Sequence, residues 1–297
     1  MKVFLTGATG YIGSAIAEAL LAAGHTVVGL ARTIEAEQDL RNSGITPRRG
    51  DLKTPESLKA AVESCEAVIH AGTTNDGRID TEAVAHMIDE LKSSGKAFVY
   101  TSGVWVIGDT GGRVMDETAP LNPIPLAAWR VGVEKLVLGS EAHNVRGIVI
   151  RPATVYGRAS GIPSMFVQSA QETGSARYIG AGENHWPTVH VEDLAELYVL
   201  ALEKARPGSV YIAADGPAYR VREIAEAASF AADAGGRTVS WPLEEARKTL
   251  GAFADALVLD QQVTADKVKR ELGWKTRAAS LLEELRYGSY ALPHVSP

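Results

Sequence analysis

Short apolar runs alternate with longer amphipathic stretches along this chain. Val3-Phe4-Leu5 is an uninterrupted apolar run and predicts a strand buried on both faces. Residues 14–23, rich in Ala, Leu and Ile, predict a helix that stops at Gly24-His25. Residues 26–31 form a second apolar run. Further strand-like runs fall at 46–50, 67–70, 97–101 and 147–150. Helical stretches separate them at 55–64, 79–94 and 126–143, and another helix runs to about Glu203. Strands alternating with helices predict an α/β fold with a parallel, doubly wound sheet and right-handed crossovers. The last third, from Arg220 to Tyr290, reads as amphipathic helices with short strands. No internal repeat or low-complexity linker interrupts the pattern.

The turn after the first strand carries the strongest local signal. It reads Thr6-Gly7-Ala8-Thr9-Gly10-Tyr11-Ile12-Gly13. Strand, glycine-rich turn, helix and second strand fit into about thirty residues, the context of a Rossmann-type dinucleotide site. Gly7 suits a tight turn. Gly10 lets backbone approach a pyrophosphate, and Gly13 lets the helix lie close to the strand. A helix N-terminus offers free N–H groups and a favourable dipole to the phosphates.

Composition narrows the class. Lys and Arg total 30 against 36 Asp and Glu, a net charge of −6. Binding of nucleic acid through a basic face is therefore not expected. Hydrophobic residues at 45% and charged residues at 22% describe an ordinary globular chain of 297 residues. One cysteine, Cys65, cannot make an internal disulfide or a cysteine-based zinc site, so no metal is expected. No apolar run approaches the ~18 residues of a membrane span. The first apolar run is too short for a signal peptide. A soluble cytoplasmic protein is expected, with a small molecule as its partner and no membrane.

The end of the second strand reads the cofactor's 2′ position. A carboxylate there would accept the ribose hydroxyls and repel a 2′-phosphate. This chain has Ala31 followed by Arg32. Arg32 can pair with a phosphate through its planar fork, which favours NADP over NAD.

The Gly-x-x-Gly-x-x-Gly spacing, with Thr6 before it and Tyr11-Ile12 inside it, resembles the short-chain dehydrogenase/reductase superfamily in its extended branch. That branch contains NAD-dependent epimerases and dehydratases. Later segments extend the resemblance: Gly50-Asp51-Leu52, His70-Ala71-Gly72-Thr73, Tyr100-Thr101-Ser102-Gly103, the run from Arg151 to Gly157, the run from Trp186 to Ala195, and Leu272-Gly273-Trp274. It implies cofactor contacts from Gly7, Thr9, Gly10, Tyr11, Ile12, Gly13, Arg32, Asp51, Leu52, Ala71, Gly72, Thr73, Thr101, Arg130 and Pro152. It implies a nucleotide-binding unit of residues 1–157, to which 186–212 return. Residues 158–185 and 213–297 would then form a smaller substrate-binding cap. His190 and Asp193 are read as structural. A homodimer is implied through the helices at 79–94 and 126–143, with Val84, Met87, Ile88, Leu91, Val133, Leu136 and Val137 as apolar positions.

The resemblance breaks at the chemistry. The family uses Tyr and Lys four residues apart on one helix. Alignment on Gly108 and on Glu134-Lys135-Leu136 places Leu126 and Arg130 there, and Gly103 where a catalytic Ser is usual. The family's helical Asn falls near Asp80. An atypical subgroup shares these departures. Ser102, Arg130, Tyr156 and Asp80 are the remaining candidates for catalysis, with His185 and Trp186 on a cap segment able to close over the substrate. Trp105, Trp129, Leu126, Trp186 and Met165 would make the crevice apolar. Arg158, Arg177 and Arg220 offer few cations for a sugar nucleotide's diphosphate. The expected function is NADP-dependent oxidoreduction of a small carbonyl or alcohol. Two alternatives stay open: a catalytically weak NADP-binding sensor or scaffold, and a nucleotide-sugar epimerase or dehydratase.

Overall fold

The computed structural model describes residues 1–291. Seven parallel strands form the central sheet: β1 (Lys2–Thr6), β2 (Thr26–Ala31), β3 (Thr46–Arg49), β4 (Ala67–His70), β5 (Ala97–Thr101), Arg146–Pro152 and Ser209–Ala213. Across the sheet the order is Ser209–Ala213, Arg146–Pro152, β5, β4, β1, β2, β3. The Rossmann-type, doubly wound α/β fold read from the sequence is the fold observed. Strand order reverses between β1 and β4, and the crevice of such a sheet opens above that point.

Period-two burial on β1 explains the two layers. Val3 and Leu5 face one core, with Ile16 and Leu20 of α1 (Tyr11–Ala22). Phe4 faces the other. The remaining sheet helices are α2 (Ile34–Asn42), α3 (Lys59–Ser64), α4 (Gly77–Glu90) and α5 (Ala128–Gly139). After these come α6 (Ser164–Thr173), α7 (Val191–Lys204) and α8 (Val221–Ala231). A third apolar cluster gathers Phe166, Ile179, Trp186, Val221, Ile224 and Leu281, separate from both sheet cores. No helix among the described residues is long and apolar enough to cross a membrane.

The apolar positions of α4 and α5 are spent inside the chain. Val84, Met87, Leu91, Val133 and Val137 are fully buried against the sheet, and Ile88 is 4% exposed. These positions therefore cover the sheet, and Leu136 is the one of the seven left partly exposed. A helix covering a sheet needs its whole apolar stripe for that purpose.

Two buried links tie distant segments together. Arg151, ending a strand, makes a two-pronged pair with Glu134 of α5, Nη2 to Oε2 at 2.6 Å and Nε to Oε1 at 3.0 Å. The indole of Trp274 donates to the Asp193 carbonyl at 2.8 Å. The Asp193 carboxylate accepts the backbone N–H groups of Arg277 and Ala278. Asp193 is thus a structural residue, as read from the sequence.

Gly7 turns with φ +74° and aims its carbonyl at Gly13 in α1. A Cβ on Gly13 would lie 2.0 Å from that oxygen, and one on Gly10 would lie 3.2 Å away. We expect Gly13→Ala to cost on the order of 3 kcal/mol in urea unfolding, because backbone must move. Gly10→Ala should cost less than about 1 kcal/mol. Equal losses would contradict this geometry.

His70 at the end of β4 is 1% exposed, its Nδ1 2.8 Å from Thr6 Oγ1. Burial lowers its pKa from 6.5 to about 4, outweighing the nearby Asp80 carboxylate. The neutral ring is therefore the folded form, and unfolding lets it take up a proton. Stability linked to His70 is complete above about pH 6.5 and declines as pH falls towards 4, by on the order of 3 kcal/mol. His70→Gln should flatten the pH dependence of unfolding in that window. An unchanged slope would remove His70 from the linkage.

Candidate active site

The C-terminal ends of β1, β2 and β4 border a groove of about 470 Å³. Gly7, Thr9, Gly10, Tyr11, Ile12, Gly13, Arg32, Asp51, Leu52, Ala71, Gly72 and Thr73 all line it. Helix α1 begins at Tyr11, earlier than the pattern suggested, so Tyr11, Ile12 and Gly13 of the glycine turn belong to its first turn. No side chain caps that end and no acidic residue sits in it. Its N–H groups and dipole are left facing the groove. Arg32 is exposed at the rim. One oxygen of Asp51 accepts from the Lys53 N–H at 3.0 Å.

The groove continues into a cleft of about 330 Å³, sharing Tyr11, Ile12, Ala71, Gly72 and Thr73. Thr101, Ser102, Gly103, Trp105, Arg130 and Pro152 form its far side. Arg130 Nη1 donates to the Thr101 carbonyl at 2.9 Å and reaches the Tyr100 hydroxyl at 3.4 Å. Its guanidinium lies 4.6 Å over the Trp129 ring. Burial, opposed by Arg130, pushes the Tyr100 phenol up to about 12. Tyr198, fully buried on α7, donates its hydroxyl to Thr101 Oγ1 at 2.7 Å. The Thr101 proton is then free to be donated elsewhere. Ser102 Oγ is buried with no hydrogen-bond partner among the described residues. Arg130 is the one charged side chain among the described residues lining this cleft. The arrangement offers hydroxyl and guanidinium donors, which suit a substrate oxygen that gains negative charge.

Several sequence-based assignments are corrected by position. Tyr156 does not line the cleft; its hydroxyl lies 2.5 Å from Asp215 Oδ2 and 2.8 Å from the Ala279 carbonyl. Burial and Asp215 both raise its pKa, so it is no candidate proton donor near neutral pH. Asp80 does not reach the cleft either. Its carboxylate accepts from the Thr73 hydroxyl and from Thr74 N–H at 2.8 Å, pinning the loop before α4. Leu126 is 41% exposed outside the cleft. Trp129 packs against Gly77, where a Cβ would lie 2.5 Å from the indole. Trp186 and Met165 line a neighbouring cavity. His185 is held by Asp260 Oδ1 at 2.8 Å. Arg158 pairs with Glu18 and Glu192, and Arg220 faces Glu183.

Sequence reasoning missed Tyr198 and Ile162. A tyrosine on an otherwise aliphatic buried helix face was the available signal, since a buried phenol seeks a partner. Ile162 had no such mark.

A family model described as the NAD dependent epimerase/dehydratase family matches residues 3–214. An uncharacterised protein of Schizosaccharomyces pombe is 34% identical over 98% of this chain and its own full length. A Stigmatella aurantiaca ketoreductase acting on 4-hydroxy-2-methyl-3-oxo-4-farnesyl-3,4-dihydroquinoline-1-oxide is 29% identical over 99% of each chain. Among solved structures, UDP-glucose 4-epimerase of Thermus thermophilus in complex with NAD superposes with a TM-score of 0.80. It shares 22% identity and covers 98% of this chain and 99% of its own. With its parallel sheet and glycine turn, the chain belongs to the NAD-dependent epimerase/dehydratase family.

Proposed function

We propose that this protein is an NADP-dependent oxidoreductase acting on a small, partly apolar carbonyl compound or the corresponding alcohol. The observation that carries the reading is the convergence of Arg130, Thr101 and Ser102 in a cleft continuous with the glycine-turn groove. The ketoreductase relative supports reduction as the direction of chemistry.

The groove fits a dinucleotide on its own features: an uncapped helix end with no acidic residue in its first turn. Gly7 to Gly13 would hold the pyrophosphate. Asp51, Leu52 and Ala71 to Thr73 would flank the adenosine. Arg32 would take the 2′-phosphate, and Pro152 would lie beside the nicotinamide. When bound, the nicotinamide supplies the two-electron donor or acceptor. Thr101 would donate a hydrogen bond to the substrate oxygen, and Ser102 would add a second once its buried hydroxyl turns into the cleft. Tyr198 orients Thr101 by using its oxygen as acceptor. Arg130 keeps Nε and Nη2 available for ribose hydroxyls and for stabilising developing negative charge. The proton reaches the oxygen from solvent, since neither Tyr100 nor Tyr198 is acidic enough near neutrality. The lobe of residues 158–185 and 213–291 would close over the substrate.

A sugar-nucleotide reading needs cations for a diphosphate. Two of the three arginines available to it, Arg158 and Arg220, already face carboxylates. A sensor role remains the second reading, favoured by the absence of a Tyr-x-x-x-Lys pair. Consumption of NADPH with a panel of alkyl and aryl ketones separates the two.

Arg32→Ala should weaken NADPH roughly ten- to a hundredfold and leave NADH nearly unchanged. Equal dissociation constants for the two cofactors in the parent protein would defeat the NADP assignment. Arg130→Ala should weaken NADPH and lower turnover together, with Arg130→Lys restoring part of both. A loss of binding without any turnover to lose would favour the sensor. Because no group in the cleft titrates near neutrality, kcat/KM should stay flat between about pH 6 and 9. A steep acidic limb in that range would reveal a proton donor outside this account.

A further inference from the structure

A second cavity, of about 120 Å³, lies in the C-terminal lobe. Met165 and Phe166 of α6, Trp186, Val221 of α8, Trp241 and Leu250 form half of its wall. Ile162 belongs to this wall and to that of the cleft. The Phe166 and Trp186 rings sit 5.7 Å apart at a tilt. The Arg177 guanidinium rests 5.1 Å from the Trp241 ring centroid. Ser169, also in the wall, has its hydroxyl spent on the Phe166 carbonyl at 2.9 Å and the Arg177 N–H at 2.9 Å.

We infer that this cavity receives the apolar arm of the substrate, an aryl ring or a short alkyl chain attached to the carbonyl carbon. The inference rests on the oxidoreductase reading for the carbonyl and on the cavity alone for the arm. A dry cavity of about 150 Å³ with aliphatic and aromatic walls takes up benzene, so one ring or a chain of similar volume is the matching size. The wall is mainly aliphatic and aromatic, with the Arg177 guanidinium and the Tyr178 phenol as its polar groups. Ile162, shared by both walls, sets the cavity next to the cleft that holds Thr101 and Ser102. The arm would run from the cleft past Ile162, between Phe166 and Trp186, and end near Arg177. An uncharged sugar would lose hydration along the Ile162, Phe166 and Trp186 walls with little in return.

Two measurements test this, one without chemistry. Toluene carries the arm and no carbonyl. In protein labelled with 13C on the methionine methyls, toluene should shift the Met165 signal and leave Met87 unmoved. Leu250→Trp should abolish that shift by filling the cavity. The second measurement is the ratio of kcat/KM for acetophenone to that for acetone, with NADPH. It should be roughly a hundredfold in the parent and fall to within about threefold in Met165→Trp and in Leu250→Trp. The two plugs sit on different elements, so a folding defect in one leaves the other decisive. No Met165 shift with toluene, or an aryl preference unchanged in both plugs, would overturn the inference. If neither ketone is turned over while toluene still shifts Met165, the cavity assignment stands and the oxidoreductase reading falls.

Discussion

The buried pair of Arg151 and Glu134 is the constraint on which the site depends. Both side chains are at most 4% exposed, and they meet through two parallel hydrogen bonds. Charges so deep in the protein are tolerated only with near-ideal geometry, and removing one partner typically costs about 3–5 kcal/mol. The pair joins α5 to the strand ending at Pro152, and Pro152 itself lines the cleft. Arg130 lies one helical turn before Glu134 on the same helix. Pinning Glu134 therefore fixes the height and rotation at which Arg130 meets the Thr101 carbonyl.

The rest of the site follows from that placement. Arg130 holds the carbonyl of Thr101, and Tyr198 holds its hydroxyl from the opposite layer. Thr101 is thus clamped at both polar groups, with one proton left to give. Ser102 adds a second hydroxyl that no protein group among the described residues uses. A tyrosine–lysine pair would hold a proton donor close to neutral pH. This cleft instead concentrates fixed donors and a permanent cation in a half-enclosed space, where such groups act more strongly than in water.

The glycine turn was legible because each glycine answers a steric demand that repeats wherever a strand meets a helix this closely. Gly7 needs a left-handed turn, and Gly13 sits against the Gly7 carbonyl. The alternation of apolar runs likewise revealed the parallel sheet, since strands covered on both faces read as continuous apolar stretches. The placement of Arg130 on the cleft was legible from its spacing to Glu134. What stayed hidden depended on side-chain direction. Asp80 and Tyr156 stand at suggestive places in the chain, yet neither lines the cleft: Asp80 holds the loop at Thr73 and Thr74, and Tyr156 bonds to Asp215 and Ala279. Tertiary partners such as Asp215 and Ala279 are distant in sequence and leave no local mark. The apolar stripe of α4 had two possible covers, sheet or partner chain, and periodicity does not distinguish them.

The central claim is that this cleft carries out redox chemistry on a carbonyl and does more than bind a nucleotide. Isotope transfer tests it most directly. NADPH deuterated at the transferable position of the nicotinamide would be incubated with aryl and alkyl ketones, and the products examined by mass spectrometry. The account predicts deuterium on the carbinol carbon of the product alcohol. Tight NADPH binding with no deuterium leaving the cofactor, across the whole ketone panel, would contradict it.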